Sequence, residues 1–155
     1  MDNINEHFGG CLCGQSRYKT IGQPERVAVC HCRYCQLRSG SAFGTLVYFK
    51  EENVKEISGV FKIYSFVSES GKTWENKFCS NCGTTLIFRL EVWEGDVGIS
   101  GGTFDPPSFW YDLNREVFTR SKSHFVDIHA PEQVETFRFY NPVNLEDQRL
   151  QGNRT

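Results

Sequence analysis

Seven cysteines in this chain fall into three close groups whose spacing is typical of metal ligands. The groups are Cys11 with Cys13, Cys30 with Cys32 and Cys35, and Cys79 with Cys82. An odd number of cysteines leaves one thiol over in any complete disulfide framework, whereas one site of four ligands and one of three use every cysteine. Thiolates are preferred ligands of zinc. The cysteines therefore predict two Zn²⁺ ions per chain.

A closed four-cysteine site follows from the first and last groups. Cys79 and Cys82 form a C-x-x-C followed by Gly83, a turn in which backbone N–H groups point at the sulfurs. In an extended segment residues two apart face the same side, so Cys11 and Cys13 can present two thiolates while Leu12 points away. Such closed sites contribute on the order of 10–16 kcal/mol to the folding of zinc-finger peptides. We expect this site to be structural.

The middle group of cysteines predicts a different kind of site. Alternation in an extended segment places Cys30 and Cys32 on one side and His31 on the other, so we expect His31 to support the site rather than bind the ion. Cys35 then returns through a short turn. Three thiolates that leave one coordination position for a substrate or water are typical of catalytic zinc.

Spacing alone leaves other ligand sets open. Cys79 and Cys82 could instead join two members of the middle group, and a histidine could close that group and make it structural. The histidines considered for this role are His7, His124 and His129. Arg33 and Arg38 could bind a substrate carboxylate, although solvated surface charge is the commoner role of arginine. Five aromatic side chains could wall a pocket or pack in the core, namely Phe43, Tyr48, Phe49, Trp74 and Phe78.

The composition favours one β-rich domain. The chain has 155 residues, 13 Phe and 6 Tyr but 1 Met, so the core should be aromatic and β-branched. Alternation predicts eight strands, at Ser16 to Thr20, Thr45 to Phe49, Val60 to Phe66, Trp74 to Phe78, Thr85 to Leu90, Val97 to Ser100, Phe125 to His129 and Glu135 to Tyr140. One short helical turn is expected from Arg33 to Arg38. We predict a domain over residues 9–142 between a tail at 1–8 and a polar tail at 143–155.

Charge and hydropathy argue against two classes of partner. A net charge of −2 gives no overall basic field for the phosphates of a nucleic acid. No run approaches the roughly 20 apolar residues of a membrane span, and the first residues lack the apolar segment of a secretory signal. We therefore expect a cytoplasmic protein with small-molecule partners, in a compartment where cysteines serve metals rather than disulfides.

Four motifs together resemble the glutathione-dependent formaldehyde-activating enzyme family, which includes centromere protein V. They are G-x-C-x-C-G at Gly9 to Gly14, C-H-C-x-x-C at Cys30 to Cys35, G-S-x-F at Gly40 to Phe43 and F-C-x-x-C-G-T at Phe78 to Thr84. The resemblance implies an all-β fold of the β-tent type. It also implies a structural zinc at Cys11, Cys13, Cys79 and Cys82 and a catalytic zinc at Cys30, Cys32 and Cys35.

The resemblance further implies a carbon–sulfur lyase that joins a thiol and an aldehyde into an S-hydroxymethyl adduct or cleaves that adduct. Glutathione is a possible thiol, although Gln36 and Leu37 stand where the family often has a cationic pair. A proton must reach the oxygen of the forming adduct, and His31, Tyr34, Asp105 or water could supply it. The alternative is a zinc-stabilised binding module without turnover. The sequence leaves the oligomeric state open.

Overall fold

Strands in two sheets dominate the computed structural model, which describes residues 5 to 150. The strands are β1 Glu6–Gly10, β2 Arg17–Ile21, β3 Arg26–Cys30, β4 Gly44–Lys50, β5 Val54–Ser58, β6 Phe61–Val67, β7 Thr73–Cys79, β8 Thr85–Leu90, β9 Asp96–Ser100, β10 Arg115–Val117 and β11 Glu132–Gln133. The α-helix α1 spans Arg33–Ser39, and five short 3₁₀ turns lie at Glu51–Asn53, Glu91–Trp93, Gly101–Thr103, Thr119–Ser121 and Gln148–Leu150. The predicted all-β class is confirmed.

The small sheet has the order β1-β2-β5, and the large sheet has the order β11-β10-β3-β4-β9-β8-β7-β6. All pairings are antiparallel except those of β10, which runs parallel to β3 and to β11. Strand β3 therefore lies inside the large sheet. Its last residue, Cys30, opens the sequence that forms the three-cysteine group.

Both faces of the large sheet are covered, as the burial of β4 shows. Val47 and Phe49 pack in a core that also contains Tyr18 of the small sheet. Leu46 and Tyr48 point to the opposite face and pack near the cysteines of the middle group. This double burial explains why β4 has a continuous apolar run rather than alternation of apolar and polar residues.

Six of the eight predicted strands are confirmed within a residue or two of their ends. The segments predicted at Phe125 to His129 and Glu135 to Tyr140 are wrong, because neither forms a strand in the structure. Strands β1, β3, β5, β10 and β11 were not predicted as strands. β10 has only three residues and pairs parallel to β3, a contact between segments distant in sequence. Local patterning carries little signal for such a strand.

The predicted helical turn is confirmed as α1, and its ends have clear physical causes. Sγ of Cys32 caps the helix by accepting a hydrogen bond of 3.4 Å from the backbone N–H of Cys35. At the other end Gly40 has a φ of 69°, and its N–H donates to the carbonyl of Gln36 over 2.8 Å. A potential metal ligand therefore also fixes where the helix begins.

The division into a domain and two tails stays a prediction, although the structure bears on both ends. Strand β1 includes Glu6, His7 and Phe8, three residues that the prediction assigned to the first tail. Near the other end, Nε of Arg33 donates to the carbonyl of Arg149 over 2.9 Å. Within the described range, no helix is long and apolar enough to cross a membrane.

Gly98→Ala should destabilise the fold by about 1–3 kcal/mol, because an added methyl group overlaps the buried ring of Phe88 across the β8–β9 pair. Urea denaturation of both proteins checks the free energy of unfolding. Gly102→Ala is the matched control, since its new methyl group would lie 3.9 Å from the nearest atom, Cζ of Phe109. Equal stability of Gly98→Ala and wild type would contradict the tight packing at this site.

Candidate metal centres

The four cysteines of the predicted structural site lie together. The sulfurs of Cys11, Cys13, Cys79 and Cys82 are all within 4.8 Å of one another. Sγ of Cys13 is 3.5 Å from Sγ of Cys11 and 3.8 Å from Sγ of Cys79. Sulfurs bound tetrahedrally at about 2.3 Å from one zinc are separated by about 3.8 Å, so this set of donors fits the ion.

Two glycine turns position these four sulfurs. The N–H of Gly14 donates to the carbonyl of Cys11 over 3.1 Å, and the N–H of Gly83 donates to the carbonyl of Cys79 over 2.9 Å. Both glycines have a positive φ, 83° and 81°, which other residues rarely adopt. Cys11 and Cys13 therefore meet across a turn, and the expectation of an extended segment there is wrong.

Hydrogen bonds prepare part of this group for metal binding. The hydroxyl of Thr84 lies 3.3 Å from Sγ of Cys82 and lowers the pKa of that thiol to about 5. The nearby Ser16 side chain lowers the pKa of Cys79 to about 7. Thiolates are the metal-binding form of cysteine, so both shifts favour ligation near neutral pH. Thr84 also accepts the N–H of Leu12 over 3.2 Å and thereby joins the two turns.

The middle cysteines form a second, separate group. The sulfurs of Cys30, Cys32 and Cys35 lie within 4.8 Å of one another, and all three residues are buried. Cys30 ends β3, Cys32 caps α1, and Cys35 lies in the first turn of that helix. Three soft donors at one point can hold a zinc ion, with a fourth position left to another ligand. The structure divides the seven cysteines into groups of four and three, and their role as zinc ligands stays a prediction.

His31 lies outside this group of sulfurs, as alternation along the segment predicts. Its Nε2 is 2.7 Å from Oε2 of Glu116, and both side chains are fully buried. The N–H of His31 donates to the carbonyl of Val117 over 3.1 Å, and Nζ of Lys122 lies 3.1 Å from the same Glu116 oxygen. His31 therefore ties the three-cysteine segment to β10.

Arg38 lies beside the sulfur of Cys35 on α1. The guanidinium of Arg38 and the sulfur of Cys35 both border Gly44. A methyl group added to Gly44 would lie 3.2 Å from Nη2 of Arg38 and 3.4 Å from Sγ of Cys35. Hydrogen bonds from the Cys30 and Cys32 thiols, and then the Arg38 charge, lower the pKa of Cys35 well below its usual range. The guanidinium carbon lies 4.7 Å from the ring centre of Phe88. Arg38 is partly buried rather than a solvated surface charge.

A cavity of about 130 Å³ adjoins the three-cysteine group and is lined by Cys30 and Cys32. We call it the aromatic cavity, after the rings in its wall, which belong to Tyr34, Tyr48, Trp74, Trp93, Phe118, Phe137, Phe139 and Tyr140. Tyr34 is stacked on Phe66, with ring centres 5.2 Å apart. Its hydroxyl accepts the backbone N–H of Glu69 over 2.7 Å. Cys30 and Cys32 thus adjoin a concave apolar surface.

Of the five aromatic candidates, Tyr48 and Trp74 line the aromatic cavity. Phe49 is buried in the core shared with the small sheet. Phe43 packs edge-on against the ring of His31 at 5.7 Å, and Phe78 belongs to β7 without lining the cavity.

The remaining candidates lie away from the three sulfurs. His7 stacks on Trp110 with ring centres 3.4 Å apart, His124 packs edge-on against Phe125, and His129 is exposed. None of these histidines joins a cysteine group within the described residues. Asp105 accepts a hydrogen bond of 3.0 Å from Nη1 of Arg17 and does not line the aromatic cavity.

Several residues of the site were not predicted from the sequence. Glu116 gave no signal, because it meets His31 only through the parallel β3–β10 pair. Trp93 lies on a 3₁₀ turn, and Phe137 and Phe139 lie in a segment misassigned as a strand. The role of Arg38 beside Cys35 could have been found, because residues three apart on a helix lie on one face.

Comparisons with known proteins agree with the site. A family model described as glutathione-dependent formaldehyde-activating enzyme matches residues 6–121. The chain belongs to that family, and the resemblance of its cysteine motifs is confirmed. A Schizosaccharomyces pombe protein named an uncharacterized lyase is 34% identical over 83 residues, which are 54% of this chain and 57% of that protein. The match thus spans little more than half of the relative.

A solved structure supports the fold. The crystal structure of a Rhodobacter sphaeroides protein, a structural genomics target, superposes with a TM-score of 0.52 and covers 68% of this chain and 96% of its own. Because the two sequences are only 15% identical, the likeness concerns the fold alone.

We expect purified zinc-loaded protein to bind two zinc ions per chain. Cys82→Ser and Cys32→Ser should each lower the count to one, but Cys82→Ser should lose several kcal/mol more stability, because it removes the closed site. Native mass spectrometry gives the zinc count, and urea denaturation gives the free energy of unfolding. One zinc in wild type, or equal stability of the two variants, would contradict the assignment.

Arg38→Met should weaken zinc binding by the three-cysteine group about 10- to 100-fold, the usual effect of removing a group that supports the metal ligands. The reason is the loss of a cation beside the Cys35 sulfur. Competition with a chromophoric chelator measures the affinity. Arg33→Met on the same helix is the matched control and should bind zinc like wild type. Wild-type affinity in Arg38→Met would refute the role given to its charge.

Proposed function

We propose that this protein is a zinc-dependent carbon–sulfur lyase that forms or cleaves the adduct of a small thiol and an aldehyde. The observation that carries the proposal is the position of Cys30 and Cys32 in the wall of the aromatic cavity. A metal centre with three protein ligands at the edge of a cavity can accept a substrate as its fourth ligand. The name of the family and that of the yeast relative, a lyase, support the same class of reaction.

The two groups of cysteines have different tasks in this proposal. Cys11, Cys13, Cys79 and Cys82 would hold a structural zinc, because four protein ligands complete its coordination. Cys30, Cys32 and Cys35 would hold the catalytic zinc. When bound there, zinc supplies a Lewis acid that keeps a substrate thiol ionised near neutral pH, where a free thiol with a pKa of about 8.5 is mostly protonated.

Arg38 and His31 prepare the site without contacting the reacting atoms. The guanidinium beside Cys35 offsets part of the negative charge of three thiolates, and so favours the approach of a fourth. His31, held by Glu116, fixes the backbone between Cys30 and Cys32. Both residues are positioning residues in this mechanism.

Tyr34 is the proton donor that the geometry favours among the candidates. It lines the aromatic cavity together with Cys30 and Cys32, whereas His31 and Asp105 do not. Because its oxygen already accepts the N–H of Glu69, its own proton remains available for donation. Burial raises the pKa of Tyr34, so the hydroxyl is protonated at neutral pH.

The proposed step balances without an oxidant or reductant. The substrate sulfur gives up its proton to solvent and attacks the aldehyde carbon, so that a C–S bond forms and the carbonyl electron pair moves to oxygen. That oxygen takes the proton of Tyr34, which is replaced from solvent. The product is the hydroxyalkyl thioether of the thiol, and the reverse sequence cleaves the C–S bond.

Turnover of formaldehyde with glutathione by the zinc-loaded protein tests the proposal. We expect Cys32→Ser to fall to the uncatalysed rate, because it removes a ligand of the catalytic zinc, and Arg33→Met to remain active. The adduct is measured by NMR at equal protein concentration. Activity that survives in Cys32→Ser would defeat the proposed centre.

The same assay with other thiols tests which thiol is the substrate. If glutathione is inactive, 2-mercaptoethanol and benzyl mercaptan are offered with the same aldehyde. Turnover with either would support the proposed reaction and identify a thiol other than glutathione as the substrate. No turnover with any of the three by protein carrying two zinc ions would favour the alternative, a zinc-stabilised binding module.

A further inference from the structure

The aromatic cavity has the size of a single ring. Its volume of about 130 Å³ can be compared with an engineered cavity of about 150 Å³ that binds benzene. Trp74 is stacked on Phe66 at 5.5 Å on one side, and Trp93 packs edge-on against Phe139 at 5.4 Å on another. Such faces and edges favour an apolar, flat group over a charged one.

The cations that line the aromatic cavity offer little to a substrate with several carboxylates. Arg26 stacks 3.5 Å above the ring centre of Trp93, and its Nη2 lies 2.6 Å from Oδ2 of Asp96. Arg115 is paired with Glu132 at 2.9 Å. The third lining cation, Lys72, is exposed. Charge on the substrate would therefore gain few contacts inside the cavity.

Part of the cavity wall comes from outside the region shared with the family. The family model ends at residue 121, whereas Phe137, Phe139 and Tyr140 lie beyond it. The segment is held in place by hydrogen bonds: the N–H of Phe118 donates to the carbonyl of Thr136 over 3.1 Å, and Nη2 of Arg120 donates to Oη of Tyr140 over 3.0 Å. Its rings are thus fixed features of the cavity in this chain.

We infer that the thiol substrate carries a small apolar ring, which the aromatic cavity accepts while the sulfur lies beside Cys30 and Cys32. This inference rests on the proposed function, because it takes the three-cysteine group as the place where the sulfur binds. A thiol bound there carries its first carbon into the cavity, so the ring must follow within one or two carbons of the sulfur. A benzyl-type thiol has these properties.

Isothermal titration calorimetry of the zinc-loaded protein tests the inference without turnover. We expect benzyl mercaptan to bind at least about tenfold more tightly than 2-mercaptoethanol or glutathione, because only its ring buries apolar surface in the cavity. Equal affinity for benzyl mercaptan and 2-mercaptoethanol would overturn the inference.

Variants separate the cavity from the metal centre. Ala28→Leu fills space in the cavity. It should weaken the binding of benzyl mercaptan about tenfold or more and leave the affinity for 2-mercaptoethanol unchanged. Ala130→Leu, which does not line the cavity, is the control. Phe139→Ser removes a half-exposed ring from the cavity wall and should weaken the binding of benzyl mercaptan but not that of 2-mercaptoethanol. Phe109→Ser, at an exposed residue, is its control. Unchanged affinity for benzyl mercaptan in both cavity variants would also overturn the inference.

Failure of the inference and failure of the proposed function look different in these experiments. Tight binding of benzyl mercaptan without turnover of any thiol would keep the ring site and remove the lyase. Turnover of glutathione, with benzyl mercaptan bound no better than 2-mercaptoethanol, would keep the lyase and remove the ring site.

Discussion

The buried hydrogen bond between His31 and Glu116 is the interaction on which the geometry of the three-cysteine group depends. Both side chains are inaccessible to solvent, and Lys122 supplies a cation to the same carboxylate. A buried carboxylate is costly unless it is paired, so Glu116 strongly favours the arrangement that keeps His31 and Lys122 in place. Because His31 stands between Cys30 and Cys32, fixing its ring on the far side directs both sulfurs toward the cavity. Removing Glu116 would take away the acceptor that the buried His31 ring and the Lys122 ammonium share.

The two cysteine groups differ in what surrounds them, and this difference is the physical basis for giving them different roles. The group of four joins two glycine turns that are far apart in sequence, and Cys13 is exposed among its members. The group of three is formed by one continuous segment, is buried throughout, and borders a cavity through Cys30 and Cys32. Four thiolates satisfy zinc by themselves, whereas three leave a position that a molecule in the adjoining cavity can fill.

Much of this site could be predicted from the sequence because its chemistry depends on local spacing. The spacing of Cys30, Cys32 and Cys35 predicted three sulfurs at one point, and alternation along the segment predicted that His31 points away from them. The same reasoning failed at Cys11 and Cys13, which meet across a turn, although both sulfurs still reach the same point. Contacts made through β10 could not be predicted: the partner of His31 is 85 residues away, and no local pattern marks it.

One pattern, the alternation of aromatic and polar residues from Glu135 to Tyr140, explains both the wrong strand prediction and the rings in the wall of the aromatic cavity. Phe137 and Phe139 alternate with Arg138, which in a strand would give one buried and one exposed face. In the structure both rings pack on Trp93, at 6.0 and 5.4 Å, and the Arg138 guanidinium also lies 5.5 Å from that ring. The alternating residues therefore belong to a segment that covers a cavity and not to a strand of a sheet. Pairing to a neighbouring strand would have been a second way to cover these rings, but the segment forms no strand, and the backbone N–H groups at 118–120 donate to the carbonyls of residues 134–136. What the sequence pattern specifies is that Phe137 and Phe139 share one side of the segment, and tertiary contacts decide that both rings pack on Trp93 in the wall of the cavity that Cys30 and Cys32 also line.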